Sequence, residues 1–596
     1  MKKMLGCVIG TVILLSSSNL CAADFTTVAE RSDYRVTASF GETIDYFRRL
    51  DSASEWIELQ QFGTSPMGRP MHVAVVSKDR AFDPESAHRT GKIITLIQNG
   101  IHSGEIDGKD ACMALLRDIA ITRERADLLD SVILLIIPII NLDGHEINER
   151  FTRSNQIGPE NAGFRATANW LNLNRDYMKA DAPEMRAWLR LWRKWMPDFF
   201  IDDHVTDGGD WQYTVHYTMP WFPNSAPEIR AWTKEFYDPY VRKAVREDGY
   251  KIFPYAGPRR DSIENGLGIY VDIPRLSTGY TALWNRPGLL VEMHSLKDYR
   301  TRVLGNYSML SATLEVLNAN RASLKQAIHR ADSLTLAAAI GPVPLTFMPD
   351  GDSVMVDFEG YEYEVVHSEL TGGTYHQYDP DRPKTYHVPY FNSYRARTSV
   401  SMPRAYLIPR QWTGQVERLS WHGLRIDTLA APLTASVEMY RLDSVRWGNE
   451  SYEGHVRASF KPVVQETTVT FSTGTFVVDM RQPGAKVALQ ALEPGAPDSY
   501  VGWGLWNTIF EQKEYIEDYS IEPLAARMYK ENAALRAEFD LRMASDTAFA
   551  GSVRAKRDFF YKRSTFSETQ LNWYPVARLM TDLPPVQPWR NTDDAR

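Results

Sequence analysis

Four short, nearly continuous apolar runs constrain this chain more than any other feature: IITLIQ at 93–98, VILLIIPII at 132–140, FFID at 199–202 and LLV at 289–291. Runs of that length without polar alternation are what strands look like when helices cover both faces of their sheet. Helical patterns lie between them. In DAPEMRAWLRLWRKWMPD, Asp181 is placed to cap, Pro183 suits a first turn, and Met185, Trp188, Leu189, Trp192 and Trp195 share one stripe. Burial of that stripe against a sheet is the expectation, and a membrane-surface helix is the rival reading. The alternation predicts an α/β fold, an open mixed sheet flanked by helices, up to about residue 335. Upstream, WIELQQFGTSPMGRPMHVAVVS reads as two strands joined by a Gly/Pro turn, an antiparallel edge to that sheet.

Beyond residue 340 the texture changes. PVPLTFMP, VMVDFEGYEYEVV, RAYLIP, VEMYRL and TTVTFSTGTFVVDM are short β-type runs separated by turn residues, and IEPLAARMYKENAALRAEFDLRMAS returns to a helical pattern. The expected organisation is a signal segment at 1–23, a catalytic domain at 24–335, and a β-rich C-terminal domain at 336–596 that ends in helices. The junction near 335–345 lacks a long flexible linker, which favours a C-terminal domain packed on the rest over a tethered module.

The first residues, MKKMLGCVIGTVILLSSSNLCAAD, have the layout of a secretory signal cleaved after Ala23. A lipid anchor on Cys21 would want a small residue before it, and Leu20 stands there. No later segment reaches the ~20 consecutive apolar residues of a membrane span, so the expected protein is exported, periplasmic or secreted. Cys7 and Cys21 leave with the signal. Cys112, in an apolar helical pattern, then has no intramolecular partner and reads as a small core residue. With 67 Lys plus Arg against 75 Asp plus Glu and no long basic block, there is no electrostatic footprint for nucleic acid.

In open α/β sheets, functional groups gather where strands end at their carboxyl edge. His102 and Glu105, in NGIHSGEIDG, follow the run at 93–98, and no second His-x-x-Glu occurs in the chain. NLDGHEINERFTRSN, with Arg153, follows the run at 132–140; His204 follows FFIDD; Glu292 ends GLLVE. A hydrolytic zinc site needs three protein ligands and an open position for water, and His102, Glu105 and His204 meet that need. A carboxylate outside the ligand set must take the water proton, and Glu292 is the natural candidate. A fixed cation must stabilise the oxyanion, either Arg153 or another nearby arginine. His294, two residues past Glu292 on an extended strand, would face the same way and is read as structural.

Taken together, GTSPMGRPMHVAVVS, GIHSGEIDG, NLDGHE, FTRSN, LNLNRD, DDHVTDG and LLVEMHS resemble the zinc carboxypeptidase family, in that family's order and over about residues 30–335. The resemblance implies that His102, Glu105 and His204 bind one zinc ion per chain, Glu292 is the general acid/base and Arg153 stabilises the oxyanion. It also implies that Asn174 with Arg175 grips the terminal carboxylate of a peptide or peptide-like substrate. A guanidinium pairs with a carboxylate through two charge-assisted bonds, which suits Arg175 to that task. The family's mobile tyrosine is assigned to Tyr280, with Tyr270 second. Two other readings remain: an amidase-type member acting on cell-wall peptides or N-acyl amino acids, and an inactive binding protein with the same fold. Oligomeric state and side-chain preference are left open.

Overall fold

The computed structural model describes residues 25–147, 149–338 and 341–589, so the expected signal segment lies outside the described residues. Among those described, no helix is long and apolar enough to cross a membrane. The apolar runs become the central strands of one sheet. Its members are β1 (Ile57–Thr64), β2 (Pro70–Val76), β3 (Ile93–Gln98), β4 (Val132–Ile137), β5 (Phe199–Val205), β6 (Val215–Thr218) and β7 (Ile252–Pro254). After a hairpin, β8 (Gly257–Arg259) and β9 (Ser262–Gly268), comes the eighth member, β10 (Gly288–Met293). The order is β1-β2-β4-β3-β5-β10-β6-β7, with β4, β3, β5 and β10 mutually parallel and β1, β2 and β6 pairing antiparallel.

Alternation along each strand sends its side chains to two cores. Ile133, Leu135 and Phe200 face a core that takes in Trp188, Trp192 and Trp195 of the helix Pro183–Trp195. Val132, Leu134, Ile136, Phe199 and Ile201 face the other, with the helices Asp107–Ala120 and Tyr299–Ala319. The predicted tryptophan stripe is therefore core, as is Cys112. Asp181 does not cap that helix: Ala182 occupies the position without a side-chain bond, Pro183 begins the helix, and Asp181 turns to Arg418 and His455 of the C-terminal region.

The C-terminal region is strand-rich, as expected, but it does not stand apart. β11 (Val343–Pro349) pairs with β14 (Tyr394–Val400). The long strands β12 (Val354–His367) and β13 (Thr374–Phe391) extend the β8–β9 hairpin into a four-stranded sheet, through Tyr390 opposite Leu267 and Phe391 opposite Gly268. A seven-stranded sheet follows. The core behind the tryptophans runs on without interruption into Val343, Tyr406, Val487 and Trp506. Among the described residues the helices are not the last elements: after Val553–Tyr561, the strands Ala577–Leu579 and Val586–Pro588 rejoin the seven-stranded sheet. Three residues are too few to imprint an apolar period, so those strands leave no local signal.

Candidate metal centre and substrate cleft

His102 and Glu105 lie on the loop between β3 and the helix Asp107–Ala120. The loop is pinned where it leaves the sheet: the Asn99 amide donates to the Ile137 carbonyl at 3.0 Å and the Ser103 hydroxyl to the Asn141 carbonyl at 2.8 Å. Gly108 is required for space, because a Cβ there would sit 2.5 Å from Asn99 and Asp203 side-chain atoms. His204 is on β5, and the parallel register sets Glu292 of β10 directly beside it.

His102, Glu105 and His204 are all buried and offer ligand atoms within 4.8 Å of one another. Glu105 Oε2 lies 3.1 Å from His102 Nδ1 and 2.9 Å from His204 Nδ1. The other ring nitrogen of His204 lies 3.0 Å from Asp202 Oδ2, and Gln98 donates to Asp202 Oδ1 at 2.8 Å, so the imidazole is oriented from behind. Burial raises the Glu105 carboxyl, but the adjoining His102 and His204 outweigh it and hold it well below the usual range. Burial lowers His204, and Asp202 and Glu105 on either side more than reverse this. His102, with burial dominant, is pulled down to about 4. Two imidazoles and one carboxylate, converging and buried, are a donor set that fits a catalytic zinc with one corner left for water.

Glu292 lines the same cleft, of about 230 Å³, and its Oε2 has no hydrogen-bond partner. Burial pushes its carboxyl up to about 8, with His204 opposing and Glu105, Asp207 and Asp202 adding to the rise. Asn174 and Arg175 reach the cleft from the short turn Leu173–Arg175. The adjacent Asp176 is paired with Lys179 at 2.5 Å, leaving Arg175 to the cleft.

One expectation changes and one residue joins the site. Arg153 donates to Glu105 Oε1 at 2.8 Å and to Gln156 at 3.1 Å, and so touches the ligand set. Besides Arg175, Arg165 also lines the cleft, and its Nη1 lies 2.7 Å from His102 Nε2. The sequence left room for another arginine but did not single it out, since 146–172 carries no regular pattern. Tyr280 is not at the cleft. It is fully buried, its hydroxyl is 2.9 Å from His422 Nδ1, and its ring packs 5.7 Å from Tyr177 and 6.0 Å from Trp188. Tyr270 is 80% exposed and lines the cleft, as does the partly buried Tyr255. His294 turns away, its Nε2 accepting from the Trp211 amide at 3.1 Å.

Residues 43–243 match the family model described as Zinc carboxypeptidase. Carboxypeptidase 2 of Trichophyton rubrum is 23% identical over 78% of this chain and 83% of its own length. Carboxypeptidase 2 of Trichophyton equinum is 24% identical with the same coverage. Among solved structures, the metallo-carboxypeptidase from Burkholderia cenocepacia aligns over 47% of this chain and 70% of that chain, with 18% identity and a TM-score of 0.35. The similarity to zinc carboxypeptidases thus rests on residues 43–243 and on relatives 23–24% identical in sequence.

Proposed function

We propose that this chain is an exported, zinc-dependent metallocarboxypeptidase that hydrolyses the last peptide bond of a substrate with a free C-terminal carboxylate. The observation that carries the reading is the convergence, in one cleft, of a buried His-Glu-His donor set, an unpartnered Glu292 oxygen and the Arg175 guanidinium. His102, Glu105 and His204 would hold one zinc ion, which when bound supplies an acidified water and a polarising positive charge.

The chain's own groups do the rest. Arg175 with Asn174 binds the terminal carboxylate and so registers the scissile bond one residue from the end. Glu292 takes a proton from the attacking water and returns it to the leaving nitrogen. Its buried, unpaired oxygen suits that task, because a base works best with a pKa near the working pH. Arg153, on Glu105 Oε1, and Arg165, against His102 Nε2, are the cations beside the ligand set that would stabilise the oxyanion. Tyr270 replaces Tyr280 as the tyrosine that covers the substrate.

Metal analysis of the purified protein, repeated on His102→Ala and His204→Ala, tests the ligand set: about one zinc per chain in the parent and near none in either variant is expected. Hydrolysis of C-terminally free and amidated versions of one peptide tests the clamp. Equal rates on both would favour the amidase-type reading, and no hydrolysis of either by zinc-loaded protein would favour the inactive binding protein.

A further inference from the structure

Two segments carry the substrate-facing side of the cleft away from the metal ligands: 172–175, with Asn174 and Arg175, and 270–276, with Tyr270, Asp272 and Leu276. Neither is a strand or a long helix, so neither is fixed by a regular backbone ladder. Both are held from the C-terminal region. The Asn172 amide donates to Glu453 Oε2 at 2.9 Å, and Asn172 Oδ1 in turn accepts from the Asn174 amide at 3.0 Å and lies 3.2 Å from His102 Nε2. Glu453 sits at a tight reversal closed by reciprocal backbone bonds between Tyr452 and His455. His455 grips Asp181 at 2.7 Å, with Arg418 also at 2.7 Å, just beyond the same segment.

The second segment is held more firmly. Arg275 Nε donates to Asp498 Oδ1 at 2.6 Å, and the Arg275 backbone amide donates to Asp498 Oδ2 at 2.8 Å. Its Nη2 donates to the Pro497 carbonyl at 3.2 Å, and its guanidinium lies 4.8 Å from the Trp503 ring centre. Arg275 is 8% exposed and Asp498 is fully buried. One carboxylate thus fixes both the backbone and the side chain of a residue three positions beyond Asp272.

We propose that the C-terminal region is a built-in part of the substrate cleft, with Asp498 and Glu453 as positioning residues for the two segments that receive the C-terminal residue of the substrate. The proposal rests on the carboxypeptidase reading for what the cleft binds, but not for the mechanical linkage. Positioning to within an ångström governs how well a bound group is held for reaction, and a buried carboxylate deprived of charge releases its arginine partner. Loss of either anchor therefore loosens the clamp while leaving the ligand-bearing strand β5 in place.

The test uses full-length, zinc-loaded protein: wild type, Asp498→Asn, Asp498→Glu and Glu453→Gln. KM and kcat are measured on a C-terminally free peptide, and hydrogen exchange is followed in segments 170–176, 270–277 and 199–205. Asp498→Asn is expected to raise KM about tenfold with kcat changed less than about threefold, because the loss falls on substrate registration. Asp498→Glu is expected to recover part of the loss. Exchange is expected to quicken in 270–277 for the Asp498 variants and in 170–176 for Glu453→Gln, with 199–205 unchanged. Unchanged kinetics and exchange in folded variants would overturn the proposal, as would faster exchange spread evenly over all three segments. Should Asp498→Asn fail to fold, Glu453→Gln on its partly exposed loop decides. If wild type hydrolyses no peptide, the functional reading fails and the exchange pattern alone judges the linkage.

Discussion

Replacing Glu184 by glutamine is expected to stabilise the protein at pH 8 and to do little at pH 5. Glu184 stands in the first turn of the helix Pro183–Trp195, where an acid ordinarily gains from the helix dipole. Here it is fully buried, and neither carboxyl oxygen finds a partner outside its own residue. Burial pushes its pKa from 4.5 up to about 7, opposed by its own backbone amide and reinforced by Asp143 and Asp176. The folded state therefore keeps the proton over a range in which the unfolded chain has lost it. Stability is fully present below the unfolded value and falls as pH rises through the folded one. At about 1.36 kcal/mol per unit, the shift is worth about 3 kcal/mol in all, of which about 2.5 kcal/mol is lost between pH 5 and pH 8.

Glutamine keeps the shape of the neutral acid and cannot ionise, so the variant escapes that loss. Urea unfolding of wild type and Glu184→Gln at both pH values, followed by tryptophan emission, isolates the effect, because every other titrating group is common to the two proteins. The three buried indoles of the same helix place reporters beside the substitution. An equal difference between the two proteins at pH 5 and pH 8 would refute the argument that the carboxyl is held neutral by uncompensated burial.

Other outcomes bear on the cleft. Glu292→Gln is expected to retain zinc and lose about 10²–10⁴-fold in kcat, the usual worth of a general base; full activity in that variant would remove Glu292 from the mechanism. Arg175→Met is expected to raise KM for a C-terminally free peptide and leave weak cleavage of the amidated one unchanged; a parallel loss on both would contradict the clamp. Tyr280→Phe is expected to cost about 1 kcal/mol of stability through the lost bond to His422, with activity intact. Tyr270→Phe is expected to reverse that pattern, which paired thermal melts and kinetics will show.

What the sequence made legible follows from which signals are local. An apolar run of six residues is a statement about one strand, and IITLIQ and VILLII became β3 and β4 as read. His102, Glu105, His204 and Glu292 were legible because each follows or ends such a run, so the sheet itself delivers them to one edge. Where that support fails, sequence pattern neither singles out Arg165 nor decides between Tyr270 and Tyr280. Arg153 and Arg165 share an irregular stretch, and nothing periodic tells which guanidinium turns to the cleft. The choice between Tyr270 and Tyr280 depends on burial: Tyr280 falls on the short helix Ser277–Leu283, whose inner face is core, and Tyr270 falls just before it.

The C-terminal region shows the same limit on a larger scale. Its strands were readable one by one, but their partners were not. The pairing of β13 with β9 joins residues far apart in sequence, and the bond from Asn172 to Glu453 joins residues farther apart still. An apparent boundary near residue 335 is therefore a change in local texture and not a gap between cores. This has a physical consequence for the ends of the strands. A sheet can carry ligands to its edge by backbone pairing alone, but the irregular segments that face a substrate need anchors of their own. In this chain the sheet supplies His204 and Glu292 through the register of β5 and β10. The anchors for Arg175 and Asp272 come from buried or partly buried carboxylates contributed by the later part of the chain.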